Sequence, residues 1–173
     1  MYHIKQTLIE DLDTISWMYK KAIEYQKRNN YFGWEAIDIN HLKNEIIEGK
    51  HYKIIEDSNI LCAFGIMFSD PLIWREKEKG TSLYLHRVVV NPNFKGQNQF
   101  NKVLNWAIDY SISRNLNSIR IDTWTKNKAI IEFYKKFNFN VIEEYKTSDT
   151  IDLPIQHRNL DITLMEYIVK NIA

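Results

Sequence analysis

The sequence contains few of the residues that cross-link or interrupt a fold: among 173 residues there are one cysteine, three prolines and five glycines. A single cysteine excludes an intramolecular disulfide and is typical of a reducing compartment. Cys62 lies in the apolar run ILCAFGIMF, where nothing nearby would activate a thiol, so we expect a packing residue rather than a nucleophile. No repeat or proline- and glycine-rich linker divides the chain, and we predict a single domain over residues 1–173.

An excess of charge and a cluster of metal-binding residues are also absent. Lysine and arginine number 23 against 22 aspartates and glutamates, so the formal net charge is +1. A chain with this balance has no long-range field to attract DNA or RNA, and we expect no nucleic-acid partner. The five histidines are dispersed, and none pairs with an acidic residue at a spacing typical of metal ligands. We therefore predict no metal site.

Long apolar runs are missing as well. No run approaches the ~20 apolar residues that a membrane span requires. The opening segment, MYHIKQTLIEDLD, does not place a basic region before an apolar one, as a secretory signal would. We predict a cytoplasmic protein with no membrane partner.

The apolar residues that are present recur with the periods of helices and strands. Helical spacing predicts helices from Ile9, after a cap at Asp38 or Asn40, from Phe100 to about Arg114, and from about Asn127. Strands are predicted at YHIKQT, HYKIIED, ILCAFGIMF, SLYLHRVVV, SIRIDTW, NVIEEY and near DITLMEYIV. The segment around DPLIWREKEKGT is expected to be a polar loop.

This order of elements predicts a mixed, mostly antiparallel sheet. Strand SLYLHRVVV connects to strand SIRIDTW through a helix, which makes one parallel βαβ crossover. The predicted fold class is therefore α/β or α+β, a three-layer domain with helices on both faces of the sheet.

The segment VNPNFKGQNQFNKVL has the layout of a phosphate-binding loop but contains one glycine. The first N–H groups of a helix have no partner inside the helix and carry the positive end of its dipole, so they can bind a phosphate. Gly96 remains, and Asn98 stands where a second glycine would be expected, because asparagine tolerates left-handed geometry. Lys95 adds a positive charge. Taken alone, such a loop is more often an ordinary connection between two core elements.

The segment as a whole resembles the GNAT family of N-acetyltransferases, which transfer the acetyl group of acetyl-coenzyme A, usually to an amine. LHRVVVNPNFKGQNQFNKVL is similar to the fourth strand and pyrophosphate loop of that family. The family pattern is a basic residue or Gln, two residues, Gly, one residue, and Gly or Ala. Lys95 falls on the first position, Asn98 on the first glycine and Phe100 on the last small residue. The resemblance covers nearly the whole chain in the order of its elements.

A second segment, NKAIIEFYKKFNF, extends the resemblance. It is similar to the family motif N-x-x-A-I-x-L-Y-E-K-x-G-F, with Asn127 and Tyr134 in register. Asn138 replaces the glycine after the helix, and asparagine is the usual alternative at a left-handed cap. Without this flanking match, Tyr134 would be read as a core tyrosine on an apolar stripe.

The resemblance implies how the chain would bind acetyl-CoA. The pantetheine arm pairs with strand backbone near Val88 and Val90, where a backbone N–H polarises the thioester carbonyl. Asn127 helps to fix the cofactor or a bridging water, and Tyr134 donates a proton to the departing thiolate. This step is plausible because a simple thiol has a pKa near ~8.5 and a phenol near ~10. The pyrophosphate loop comprises Lys95, Gly96, Gln97, Asn98, Gln99 and Phe100.

The general base and the acceptor site are less specified by the sequence. An alkylammonium acceptor, with a pKa near ~10.4, must lose a proton before it attacks. His86 and Asp122 are the candidates for the base, although His86 has the alternative of a structural histidine and Asp122 that of a turn carboxylate. Four aromatic residues are candidates for walls of an acceptor pocket, with an equal claim to be exposed aromatics beside a core edge. They are Tyr31, Phe32, Trp34 and Trp74.

The predicted function is an acetyl-CoA-dependent N-acetyltransferase in which a small-molecule or peptide amine attacks the thioester directly. The alternative is a catalytically weak or inactive acyl-CoA-binding or interaction domain of the same fold. Asn98 and Phe100 in the phosphate loop motivate that alternative. A monomer and a homodimer are both compatible with the sequence.

Overall fold

The computed structural model describes residues 1–153 and 157–169. Contacts divide the chain into two compact units. Unit 1 consists of residues 1–66 and 85–106, and unit 2 consists of residues 67–84 together with the chain from residue 107 onward. The single domain stays a prediction.

In the described residues, seven strands and five helices form the two units, and every predicted strand is present. The strands are β1 (His3–Gln6), β2 (His51–Glu56), β3 (Asn59–Met67), β4 (Ser82–Val90), β5 (Ser118–Trp124), β6 (Asn140–Lys146) and β7 (Asp161–Ile168). The helices are α1 (Leu12–Arg28), α2 (Ile39–Ile47), α3 (Pro71–Trp74), α4 (Gln99–Ser113) and α5 (Lys128–Lys135). Among the described residues, no helix combines the length and the apolar character that crossing a membrane requires.

The strands form a seven-stranded mixed sheet in the order β1-β2-β3-β4-β5-β7-β6, so β4 contributes to both units. The pairs β1–β2, β2–β3, β5–β7 and β6–β7 are antiparallel, whereas β4 and β5 are parallel. Helix α4 lies between β4 and β5 in the chain and supplies the crossover. The predicted mostly antiparallel sheet with one parallel βαβ connection is confirmed.

Unit 1 has helices on both faces of its strands. On one face, α1 and α2 pack on β3 and β4 in a buried cluster formed by Ile15, Met18, Tyr19, Leu42, Ile46, Ile60, Ala63 and Val89. On the other face, Trp106 of α4 packs against Tyr52 and Phe64, with ring centroids 4.6 and 5.2 Å apart. Ala63 and Phe64 are consecutive in β3, and consecutive side chains of a strand point to opposite faces. Helices on both faces of the strands give unit 1 the three-layer arrangement that the sequence predicted.

Unit 2 has a core of its own, which includes the short helix α3. Its buried members are Ile73, Trp74, Tyr84, Leu153, Ile162 and Leu164. Sequence analysis assigned the α3 segment to a polar loop, because four residues are too few to show a helical period. Pro71 occupies the first turn of this helix, where its missing N–H costs no hydrogen bond.

Cys62 lies in the middle of β3 with none of its surface exposed. The prediction that it is a packing residue agrees with this position.

Candidate functional site

The loop between β4 and α4 presents a row of open main-chain amides. Within the described part of the chain, the N–H groups of Gly96, Gln97, Asn98 and Gln99 have no hydrogen-bond partner. The first three of these residues are exposed. Because α4 begins at Gln99, its dipole adds positive potential at the same place. These amides can therefore donate hydrogen bonds to an anion, as the sequence predicted from the loop's layout.

The backbone of this loop adopts the geometry that glycines usually supply. Gly96 has φ +82° and Asn98 has φ +54°. An added Cβ at Gly96 would meet no atom within 4 Å, so no side chain covers the turn at that point. The prediction that Asn98 takes a left-handed conformation in place of glycine is confirmed.

The side chains of Gln99 and Phe100 point into unit 1. Phe100 is 5% exposed and belongs to the core, so its ring leaves the outer face of the loop open. Gln99 is also buried, and its amide nitrogen lies 3.4 Å from the carbonyl oxygen of Phe94. Its amide oxygen accepts from the Lys102 ammonium at 3.1 Å. The Gln99 side chain thus connects the loop at Phe94 to Lys102 of α4.

Two further residues shape the loop, and one of them was missed by sequence analysis. The buried Asn91 side chain donates to the carbonyl of Ile60 at 2.8 Å and accepts from the N–H of Asn93 at 3.0 Å. It therefore anchors the start of the loop to β3. The Asn-Pro dipeptide was the available signal, since asparagine favours such turns. The Lys95 ammonium lies 3.6 Å from the ring centroid of Tyr25 on α1.

Strand β4 changes its backbone conformation just before the predicted pantetheine-binding residues. Among the described residues, its parallel register with β5 ends at Tyr84↔Arg120. Farther along the strand, Arg87 has φ +49°, a left-handed conformation that is uncommon for non-glycine residues. Val88 and Val90 follow and are half-buried. His86, one candidate base, precedes Arg87 and is also half-buried.

In unit 2, the second motif forms helix α5 and its two ends. The Asn127 side chain accepts from the N–H of Ile130 at 3.1 Å and caps the helix. Asn138 has φ +63°, which confirms the predicted left-handed cap. Tyr134 is half-buried, and its ring centroid lies 5.9 Å from that of Phe139. The predicted cofactor contacts of Asn127 and the acid role of Tyr134 stay predictions.

Asp122, the other candidate base, has an acidic neighbour in unit 2 that sequence analysis missed. Carboxylate oxygens of Asp70 and Asp122 lie within 4.8 Å of one another. Burial, together with the nearby charges of Asp122 and Glu78, raises the pKa of Asp70 to about 7. Asp70 can therefore gain and lose a proton near neutral pH. No sequence signal connects it to Asp122, because only the fold brings the two together.

This raised pKa predicts a pH-dependent effect of Asp70→Asn on stability. The Asp70 carboxylate opposes folding above its ordinary pKa of 3.8, and the penalty grows until the pH passes about 7. Removing the charge should raise the free energy of unfolding at pH 8 by at most about 4 kcal/mol, since one pKa unit corresponds to about 1.4 kcal/mol. At pH 4 wild type and variant should be nearly equal. Urea unfolding at both pH values measures the difference.

Asp109→Asn is the control for that experiment, because Asp109 lies on the exposed face of α4. It should leave stability unchanged at both pH values. An equal loss of stability at pH 4 and pH 8 in Asp70→Asn would contradict the prediction.

The four candidate aromatic residues lie in different environments. Tyr31 and Phe32 are 45% and 48% exposed. Trp34 is half-buried and packs edge-to-face on Tyr19, with ring centroids 5.4 Å apart. Trp74 has no exposed surface, and the Arg120 guanidinium lies 4.4 Å from its ring. Trp74 therefore lies in the core of unit 2, whereas the alternative that sequence analysis gave was an exposed aromatic beside a core edge.

A comparison with known families assigns the chain to a family. The model of the Acetyltransferase (GNAT) family matches residues 9–139. The chain belongs to the GNAT acetyltransferase family. This confirms the predicted family and enzyme class, and it supports the predicted acetyl-CoA-dependent N-acetyltransferase over the inactive alternative.

Two GNAT relatives are named N-acetyltransferases. The chain is 22% identical over 138 residues to the uncharacterized N-acetyltransferase YesJ of Bacillus subtilis strain 168, covering 75% of this chain and 77% of YesJ. It is 32% identical over 155 residues to the uncharacterized N-acetyltransferase MJ1207 of Methanocaldococcus jannaschii. That match covers 84% of this chain and 63% of MJ1207, so the chain spans less than two thirds of the archaeal relative.

Solved GNAT structures share the fold at low sequence identity. A GNAT acetyltransferase from Listeria monocytogenes superimposes with a TM-score of 0.73 at 14% identity, covering 96% of this chain and 94% of the other. The acetyltransferase yncA from Salmonella typhimurium, solved with acetyl-CoA, has a TM-score of 0.66 at 16% identity. This second match covers 99% of this chain and 96% of yncA. At such identities the likeness shows the fold alone.

Proposed function

We propose that this GNAT protein transfers the acetyl group of acetyl-CoA to an amine, and that the loop from Lys95 to Phe100 binds the pyrophosphate. The observation that carries the proposal is the row of open amides from Gly96 to Gln99 at the start of α4. The fit is chemical: pyrophosphate is a multiply charged anion, and these donors have no competing partner in the described part of the chain. The buried position of Phe100 is compatible with this role.

The proposal also gives roles to Val88, Val90, Asn127 and Tyr134. The backbone of β4 at Val88 and Val90 pairs with the pantetheine arm, and an N–H there stabilises the oxyanion formed on attack. Asn127 fixes the cosubstrate or a bridging water. Tyr134 gives its proton to the thiolate as the thioester bond breaks. The structure of yncA, which carries acetyl-CoA on the same fold, supports the choice of cosubstrate.

The acceptor reaches the enzyme mostly as an ammonium ion, so a base must take one proton before attack. We propose that Asp122 takes this proton, with Asp70 beside it. Because Asp70 has a pKa of about 7, the pair can hold one proton at neutral pH and release it to water. His86 is the competing candidate. The acceptor class is a small-molecule or peptide amine, in agreement with related structures that include a spermidine/spermine N-acetyltransferase from Vibrio cholerae.

The test is release of free thiol from acetyl-CoA in the presence of a panel of amines. We expect release that depends on both the enzyme and an amine, together with a rise in melting temperature on addition of coenzyme A. The rise is expected because a ligand that binds only the folded state stabilises it. Tight binding of coenzyme A without turnover on any amine would favour the inactive binding domain instead. No rise and no turnover would contradict both functions.

A further inference from the structure

The left-handed conformation of Arg87 in β4 needs support from the surrounding structure. A non-glycine residue in a left-handed conformation is strained, and such strain persists only where neighbouring groups hold it. Arg87 has φ +49°, and the next residue is Val88, whose backbone is part of the proposed thioester site. The groups that hold Arg87 therefore also influence the position of the Val88 N–H.

Two helices of unit 1 hold this point of the strand. The Tyr19 hydroxyl on α1 donates to the carbonyl oxygen of Arg87 at 2.7 Å, and Tyr19 is 1% exposed. The Arg87 guanidinium donates to the carboxylate of Glu45 on α2, and the Glu45 side chain is 7% exposed. His41 lies on the outer side of Glu45, with its Nε2 3.5 Å from the second carboxylate oxygen. Main chain and side chain of Arg87 are thus each fixed by a different helix.

A contribution to the stability of the fold does not by itself explain the polar interactions of Arg87 with Tyr19 and Glu45. A buried ion pair must repay the desolvation of two charges, and hydrophobic residues of similar volume often serve as well. In the described part of the chain, the buried Nε of Arg87 has no hydrogen-bond partner, so the guanidinium is only partly satisfied. The neighbouring cluster of Ile15, Leu42 and Ala63 shows that apolar packing is available at this place. The hydrogen bond from Tyr19 and the ion pair with Glu45 together form a polar clamp on Arg87. In apolar surroundings, this clamp fixes the geometry of β4 more than it stabilises the fold.

We propose that Tyr19 and Glu45 are positioning residues that hold Arg87 in its left-handed conformation, so that the N–H of Val88 is aimed at the thioester carbonyl. This inference rests on the proposed function. An oxyanion donor is effective only where it is fixed before the reaction, and a displacement of about 1 Å can lower the rate about 100-fold. The clamp acts through β4, and neither side chain is required to touch the substrate.

The first test is Tyr19→Phe, which removes the hydrogen bond to Arg87 and keeps the ring in the core. We expect kcat to fall about tenfold, while the Kd of coenzyme A changes less than about twofold, because the amide loop still binds the pyrophosphate. The KM of acetyl-CoA should follow the Kd. A purely structural role would lower the melting temperature without lowering kcat of the folded enzyme.

Tyr145→Phe is the matched control. The Tyr145 hydroxyl in unit 2 donates to the carbonyl oxygen of Ile73 at 2.5 Å, so it has the same chemistry as the Tyr19 hydroxyl. Both variants should lose melting temperature to a similar extent. Only Tyr19→Phe should lose kcat, and an equal kcat in the two variants would overturn the inference.

A second pair of variants decides the question if Tyr19→Phe does not fold. Glu45→Gln removes the charge that holds the Arg87 side chain, and Glu166→Gln does the same to the pair with Arg120 in unit 2. We expect a loss of kcat in Glu45→Gln alone. If the wild type is active and both Tyr19→Phe and Glu45→Gln keep its kcat, this inference is overturned and the proposed function is unaffected. A wild type that binds coenzyme A but acetylates no amine overturns both.

Discussion

Gly96→Asp should weaken acetyl-CoA binding by about 100-fold. The substitution places a carboxylate beside the open amides from Gly96 to Gln99, where the pyrophosphate is proposed to bind. Two unit charges about 4 Å apart near a protein surface repel by about 4 kcal/mol, and a 100-fold loss corresponds to about 2.7 kcal/mol. The φ of +82° adds strain for any side chain, whereas the surrounding space is open. Calorimetric titration of coenzyme A measures the loss.

Gly80→Asp is the control for the strain in that experiment. Gly80 has φ +67°, and an added Cβ there also meets no atom within 4 Å. The control should lose stability comparably and keep its affinity for coenzyme A. If Gly96→Asp binds coenzyme A within about threefold of wild type, the loop does not hold the pyrophosphate, and the proposed function loses the observation on which it rests.

Tyr134→Phe should lower kcat by about 100-fold or more, with little change in the Kd of acetyl-CoA. Proton transfer by a positioned side chain contributes a factor of about 100 to 10,000, and this substitution removes only the hydroxyl group. The loss should shrink with an acyl donor whose thiol is more acidic, because such a thiolate leaves without a proton. Steady-state kinetics with two thioesters of different thiol pKa measures both effects.

Tyr167→Phe is the matched control for Tyr134→Phe. Both tyrosines are half-buried and pack against Phe139, with ring centroids 5.9 Å and 5.7 Å away. The control removes a hydroxyl from a comparable environment and should keep wild-type kcat. Equal activity in the two variants would leave Tyr134 as a core tyrosine, the alternative that its apolar stripe also allowed.

The parts of the fold that depend on local chemistry could be predicted from the sequence. Asn98 and Asn138 both adopt positive φ, because asparagine is the residue that most readily replaces glycine there. The strands and long helices follow from periods of apolar residues, and the parallel crossover follows from a helix between two strands. Each of these inferences uses residues that are close in sequence.

The features that sequence analysis missed depend on contacts between distant segments. Burial and the charge of Asp122, which lies on another element, raise the pKa of Asp70 to about 7. Arg87 has no local signal for a left-handed conformation, since the groups that hold it come from α1 and α2. Trp74 reads as a loop aromatic, yet the core of unit 2 buries it. Tertiary packing fixed each of these positions, and a pattern within one segment cannot show it.

The enclosed position of Cys62 has a practical consequence for the assay of acetyl transfer. Burial raises the pKa of the Cys62 thiol to about 12, and none of its surface is exposed. The reactive thiolate is therefore scarce and shielded. Since the chain contains one cysteine, a colorimetric thiol reagent added to the folded enzyme should give almost no background, and the absorbance reports the coenzyme A that each turnover liberates.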